Sequence, residues 1–234
     1  MKTQYSNGLV VYNQSDLLMR RFLFDTIALQ FEKIVKGMNK SFSFFQIESS
    51  CLIPNELINS EYTEDKYFKV DEEYSLKPET TPASYDYAKS VFSDGEGLPP
   101  ICVYQMSKSF RREDDKTSRH MRLKEFYQLE FQCIYSANTK DDYHTRVCDA
   151  VLELFTRLFP ERKIQKIPSD RIPHYSESTI DIEIWDEDRW MEICSMSLRN
   201  DFPTTYIQSM GHKEMKVVEV AIGMDRLLYL KQSK

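Results

Sequence analysis

The chain has 234 residues, 41% hydrophobic and 13% aromatic, enough for one large domain or two small ones with a filled core. A net charge of −6 and a pI near 5.4 exclude avid, sequence-independent binding to nucleic acid, but leave room for a local basic patch. No apolar run approaches the roughly 20 residues of a membrane span, and the start MKTQYSNGLV has no signal-peptide core, so a soluble, cytoplasmic protein without a membrane partner is expected.

Taken in chain order, residues 16 to about 37 read as a helix. Leu17, Leu18, Phe22, Ile27, Leu29, Phe31 and Ile34 recur at helical spacing, and Ser15 or Asp16 can cap the start. Residues 42–53 read as a strand stopped by Pro54-Asn55. Residues 56–87 are mixed, with a strand-like Lys66-Tyr-Phe-Lys-Val70 and a turn at Pro78. Residues 101–113 and 123–135 are two long strands of a hairpin. Residues 141–159 form an amphipathic helix with Val147, Val151, Leu154, Phe155 and Leu158 on one face and Pro160 at its end. Two more strands, 178–185 and 190–197, flank the turn Asp186-Glu187-Asp188, and strand 215–223 runs straight into helix 224–231. This order predicts an α+β fold, an antiparallel sheet flanked by helices, in a single domain over 1–234. Neither GxxxxGK[ST] nor GxGxxG is present, so the two common phosphate-binding loops are missing. Five cysteines without a CxxC pair read as buried free thiols, and the four histidines show no metal-binding spacing.

The hairpin SFRREDDKTSRHMRLKEFYQLEF carries more charge than folding requires. Strand parity puts Gln105, Ser107, Ser109, Arg111 and Glu113 on one face, and Lys124, Phe126, Gln128, Glu130 and Gln132 on the same face of the partner strand. The opposite face, with Cys102, Tyr104, Met106, Phe110, Leu123, Tyr127, Leu129, Phe131 and Cys133, is core-like. A polar face can simply be solvated. The mix here is more specific: Arg offers a fork of donors for phosphate, Phe a surface for a purine, and a Glu deep in the strand a partner for an ammonium group.

Ser109-Phe-Arg-Arg-Glu113 and Arg122-Leu-Lys-Glu-Phe-Tyr-Gln-Leu-Glu130 resemble the second signature motif of class II aminoacyl-tRNA synthetases, and the glycyl enzymes in particular. Leu76-Lys-Pro-Glu-Thr80 is similar to the LRPET segment of glycyl enzymes. Asp181-Ile-Glu-Ile-Trp185, Glu192-Ile-Cys-Ser-Met-Ser197 and Asp201-Phe202 resemble a stretch of the seryl and prolyl enzymes, and Glu219-Val-Ala-Ile-Gly-Met-Asp-Arg226 resembles the third motif. These segments occur in the family's order over residues 40–231.

The resemblance implies a class II catalytic domain that activates glycine, alanine or serine with ATP and Mg²⁺. By it, Arg111 binds the α-phosphate and Arg226 the γ-phosphate, and both are catalytic. Phe126 stacks on adenine, Glu113 reads its amino group, and Arg122 joins the ATP site. Glu192, assisted by Ser195, holds Mg²⁺; the two have opposite strand parity, so either a bulge intervenes or the role of Ser195 fails. Glu79, Glu130 and Glu219 clamp the substrate ammonium, with Gln128 and Ala221 beside them. The aminoacyl group then passes to a tRNA acceptor end or to a carrier-protein thiol. A non-catalytic paralogue acting as a regulatory or accessory subunit, and a ligase that modifies protein lysines, are the competing readings.

The chain also departs from the family. It ends at the third motif, where an anticodon-binding domain is expected to follow. Ala221 stands where glycyl enzymes have Ser, and Lys77 where they have Arg. The first motif, around residues 46–54, is poorly kept, so a homodimer is an expectation carried by the resemblance alone.

Overall fold

The computed structural model describes residues 4–6, 8–93, 100–112, 121–202 and 215–233, with side chains from Gly8 onward. The elements are β1 (Gln4–Ser6), β2 (Leu9–Val11), α1 (Gln14–Met38), β3 (Ser43–Gln46), β4 (Leu52–Pro54), β5 (Phe68–Lys69), β6 (Tyr74–Leu76), α2 (Thr81–Ser93), β7 (Ile101–Phe110), β8 (Glu125–Ser136), α3 (Tyr143–Leu158), β9 (Ile164–Pro168), β10 (Ser176–Asp186), β11 (Arg189–Arg199), β12 (Met215–Gly223) and α4 (Met224–Gln232). Seven strands form one sheet in the order β3-β7-β8-β12-β11-β10-β9, antiparallel throughout except for the β3–β7 pair. A small sheet, β4-β6-β5, lies beside it.

Helices α1, α3 and α4 cover one face of the large sheet. Leu23, Ile27 and Phe31 of α1 and Val147, Val151 and Phe155 of α3 are buried with Leu129, Phe131, Val220, Ile222, Cys194 and Met196 of the strands, and Leu227 of α4 closes this core. Helix α2 packs on the other face, where Tyr85, Ala88 and Phe92 bury Ile101, Val103, Ile134 and Val217. It covers that face at one end only. The remainder of the face, across β8, β12, β11 and β10, is the floor of a cavity.

Several boundaries differ from the sequence reading. Helix α1 is capped by Asn13 rather than by Ser15 or Asp16: Asn13 Oδ1 accepts from the Asp16 amide at 3.2 Å, and Asp16 Oδ2 accepts from the Asn13 amide at 2.8 Å, a reciprocal capping box. The expected strand 42–53 breaks after Gln46, and the chain crosses to the small sheet before β4. Helix α2, unforeseen inside the mixed segment, starts at Thr81, where Pro82 sits comfortably in a first turn. Strand β9 was also missed; it pairs with β10 only, at the sheet edge. Four of the five cysteines are buried free thiols as read, whereas Cys51 is exposed.

Candidate active site

Cross-strand register assembles the floor. Gln105 of β7, Glu130 of β8, Ala221 of β12, Ser195 of β11 and Asp181 of β10 are direct partners along one line across the sheet. The neighbouring line holds Gln132, Glu219, Ser197 and Thr179. The hairpin parity is therefore borne out: Gln105, Ser107, Ser109, Gln128, Glu130 and Gln132 share one face, but that face is buried, not solvated. Above it opens a cavity of about 570 Å³ lined by Arg111, Arg122, Phe126, Gln128, Glu79, Glu130, Glu219, Ala221, Glu192, Ser195 and Arg226, among others. Every residue singled out from the sequence lines this cavity except Glu113, which lies outside the described residues.

At the closed end, Glu79, Glu130 and Glu219 converge with exposures of 5%, 1% and 6%. Thr81 Oγ1 donates to Glu130 at 3.0 Å and also lies 3.3 Å from Glu219, while Gln132 Nε2 reaches Glu130 at 2.8 Å and Glu219 at 2.9 Å. Gln128 donates to the other oxygen of Glu130 at 2.9 Å. One oxygen of Glu79, Oε1, is buried with no hydrogen-bond partner among the described residues. Such an acceptor is costly to leave unmet and marks where a donor belongs. Burial lifts Glu79 to about 7, against the pull of Arg199, and burial together with the Glu219 charge lifts Glu130 to about 8.

The sequence reading missed Arg199, the cation of this end. It is 1% exposed. Its Nη1 pairs with Glu219 and lies 4.0 Å from Glu79, its Nε and Nη2 hold Asp201 at 3.0 and 2.7 Å, and its guanidinium stacks 3.8 Å from the Tyr175 ring. Parity contained the signal, since Arg199 follows Ser195 and Ser197 on the floor side of β11. Lys77, the replacement for an arginine fork, is also buried. Its three protons meet three acceptors: Ser49 Oγ and Ser107 Oγ at 2.7 Å each, and Ser49 O at 3.3 Å. Burial pushes its pKa down.

The open end is cationic. Arg111 Nε donates to Pro78 O at 3.0 Å, which ties this arginine to the segment carrying Glu79, and its guanidinium lies 5.1 Å from the Phe126 ring. Arg226, in the first turn of α4, donates to Glu192 O at 2.5 Å and reaches Glu192 Oε1 at 3.3 Å. Asp225 beside it accepts from the Tyr127 amide at 2.6 Å and from the Tyr12 hydroxyl at 2.5 Å, so the residue after Phe126 is fixed to the residue before Arg226.

Glu192 and Ser195 do reach the same face. The β10–β11 register shifts between Ile182↔Cys194 and Glu183↔Glu192, leaving Ile193 as an extra residue, and Ile193 and Cys194 both turn into the core. This bulge reconciles the two parities. A carboxylate and a hydroxyl on one cavity wall, next to Arg226, suit a hard divalent cation such as Mg²⁺.

The protein-family model for the tRNA synthetase class II core domain (G, H, P, S and T) matches residues 62–234. The chain belongs to this family. Curated relatives include glycine–tRNA ligases of Bifidobacterium longum, 27% identical over 206 residues, and Mycoplasmopsis synoviae, 24% identical over 169. Those alignments cover 75% and 65% of this chain but only 42% and 38% of the relatives, so the chain spans less than half of the length of either ligase. Among solved structures, Giardia lamblia prolyl-tRNA synthetase in complex with prolyl-adenylate superposes with a TM-score of 0.69 at 16% identity, over 95% of this chain and 47% of that one. Pyrrolysyl-tRNA synthetase from Desulfitobacterium hafniense gives 0.60 at 16% identity, over 89% and 69%. These structures share the class II fold, a large, mostly antiparallel sheet flanked by helices.

Proposed function

We propose that the chain activates a small α-amino acid, glycine first, with ATP to an aminoacyl-adenylate and passes the aminoacyl group to a tRNA 3′ end. The observation that carries this reading is the pairing of two opposite ends in one cavity. Three buried carboxylates with an unmet acceptor suit an ammonium group, and two arginines in the same cavity as an aromatic ring, one of them against that ring, suit a nucleoside triphosphate. The family and the glycine–tRNA ligase relatives point the same way.

In this reading the ammonium sits on Glu79, Glu130 and Glu219, which leaves the substrate carboxylate facing Arg111. A carboxylate oxygen attacks the α-phosphorus, the bond to the bridging oxygen breaks, and pyrophosphate leaves. Arg111 stabilises charge on the α-phosphoryl oxygens, and Arg226 exchanges Glu192 for the γ-phosphate. Glu192 and Ser195 would hold Mg²⁺, which supplies charge neutralisation on the phosphates. The adenine ring stacks on Phe126. No nucleophile from the protein is needed.

The exposed apolar side chains Leu17, Leu18, Phe22 and Leu29 of α1, with Leu9 and Val11 of β2, support the reading of a homodimer. Free thiols fit a cytoplasmic setting, and no helix among the described residues is long and apolar enough to cross a membrane. The test is amino-acid-dependent ATP–pyrophosphate exchange across the twenty amino acids, followed by tRNA charging. Exchange with glycine, alanine or serine is expected. Exchange without charging moves the acceptor to a carrier thiol, and no exchange together with no ATP binding leaves a non-catalytic relative.

A further inference from the structure

The cavity has a roof that none of the motifs includes. The chain turns at Asn59, whose Oδ1 accepts from the Glu61 amide at 3.0 Å and whose carbonyl accepts from the Tyr62 amide at 2.9 Å. Glu61 is then fixed to the loop between β9 and β10, 110 residues further along. Its carboxylate accepts from Arg171 Nη2 at 2.6 Å and from the His174 amide at 2.9 Å, and meets His174 Nδ1 at 2.7 Å. Ser60 Oγ adds a 3.3 Å contact to His174 Nε2. The donors hold the Glu61 carboxyl down at about 2, the His174 amide contributing most, so it is an anion at any working pH.

This staple decides where Tyr62 goes. Its ring lies 5.3 Å from the Arg111 guanidinium and lines the cavity. Burial and then the charges of Glu79, Glu219 and Glu130 push its hydroxyl pKa up, against Arg111, and it bears in turn on Tyr175, the ring stacked on Arg199. Tyr62 therefore lines the same cavity as Glu79, Glu130, Glu219 and Tyr175, with its ring against the arginine that would face the substrate carboxylate.

From this placement we infer that Tyr62 is a specificity-determining residue that limits the amino acid's side chain to one or two heavy atoms, and that Glu61 is a positioning residue acting through it. The inference rests on the proposed amino-acid activation. Once the ammonium and the carboxylate are held, Cα is fixed, and its side chain has to leave beneath the Tyr62 ring. The rest of that wall offers little depth, because Thr179 and Ser197 are hydrogen-bonded to each other at 3.0 Å and Tyr175 is packed on Arg199. Glycine and alanine fit under a fixed ring; leucine does not. The roof also complements Ala221, which removes a polar group from the same pocket but adds no room under the ring.

The experiment is ATP–pyrophosphate exchange with glycine, alanine, serine, threonine and leucine for the wild type, Tyr62→Ala, Tyr62→Phe and Glu61→Gln, with thermal unfolding of each. The expected result is a leucine-to-glycine ratio of kcat/KM that rises at least tenfold in Tyr62→Ala and stays at the wild-type value in Tyr62→Phe, which keeps the ring. Glu61→Gln should raise the ratio partway and raise KM for glycine while leaving KM for ATP in place, a split that general destabilisation would not produce. A wild-type ratio in folded Tyr62→Ala overturns the assignment of Tyr62. Equal rises in both KM values for Glu61→Gln, with no change in ratio, overturn that of Glu61. A wild type without exchange for any amino acid is a different failure, that of the activation reading itself, and the inference falls with it.

Discussion

The two ends of the cavity are built in opposite ways. At the closed end Arg199, Glu79, Glu130 and Glu219 are all nine-tenths buried or more, and two of them are held by several partners: Arg199 contacts Glu219, Asp201, Thr81 and Tyr175, and Glu130 contacts Thr81, Gln128 and Gln132. At the open end Arg226 and Glu192 are partly solvated and hold each other, Arg226 also reaching a backbone oxygen. Under the proposed function, the contrast follows from what each end would have to do. A small ammonium ion can be recognised only by groups already desolvated and fixed, because it brings few contacts of its own. A triphosphate brings its own charge, so the arginines that meet it can wait in solvent with partners that are readily exchanged.

Variants at the two ends should separate in kind as well as in size. The largest effect belongs to Arg199→Leu, which leaves three carboxylates crowded without their cation; a loss of about 3–5 kcal/mol is expected in denaturant unfolding, along with all exchange activity. A stability within about 1 kcal/mol of wild type would erase the distinction between the ends. Arg111→Ala and Arg226→Ala should behave conversely, lowering pyrophosphate exchange by about 10²–10³-fold or more while moving the unfolding midpoint by about 2 °C or less. Unchanged exchange in either variant would remove its phosphate role.

Glu130→Gln should raise KM for the amino acid by about 10–100-fold, the cost of one charge-assisted hydrogen bond, with KM for ATP little changed. The smallest effect is a pH dependence. Glu79 is raised to about 7 and Glu130 to about 8, above their usual carboxylate range, so the stability they allow is complete in acid and is lost as pH rises through about 7 to 8. The unfolding midpoint of the free protein should therefore decline from about pH 5 to about pH 8 and level off above it. Glycine with ATP should flatten that decline, since an ammonium favours the ionised carboxylates, and Glu130→Gln should flatten it without ligand. A slope indifferent to both would mean that the carboxylates are not the groups titrating.

Much of this contrast could be read from the chain. Alternation in β7 and β8 put Arg111, Phe126, Gln128 and Glu130 on one face, and the motifs supplied Glu79, Glu192, Glu219 and Arg226 in the right order. Arg199 was legible by the same alternation but carries no motif signature of its own. Helix α2 was hidden because its apolar positions, Tyr85, Ala88 and Phe92, are interrupted by Thr, Pro and Ser at the start and fall in a segment without clear periodicity. The turn at Asn59 has turn chemistry, but nothing nearby announces that Glu61 will find Arg171 and His174.

By itself the sequence determined which side chains face which way along each strand, where helices α1, α3 and α4 run, and which residue types have the chemistry to suit phosphate and ammonium, because period and residue chemistry are local properties. The tertiary structure alone decided that the polar face would be buried, that a bulge at Ile193 would turn Glu192 and Ser195 to one side, that a single arginine would serve three carboxylates, and that Glu61 would be stapled to the loop between β9 and β10 with Tyr62 beside it in the cavity wall. Each of those depends on strand order and register, which bring together residues more than a hundred positions apart and which no local pattern encodes.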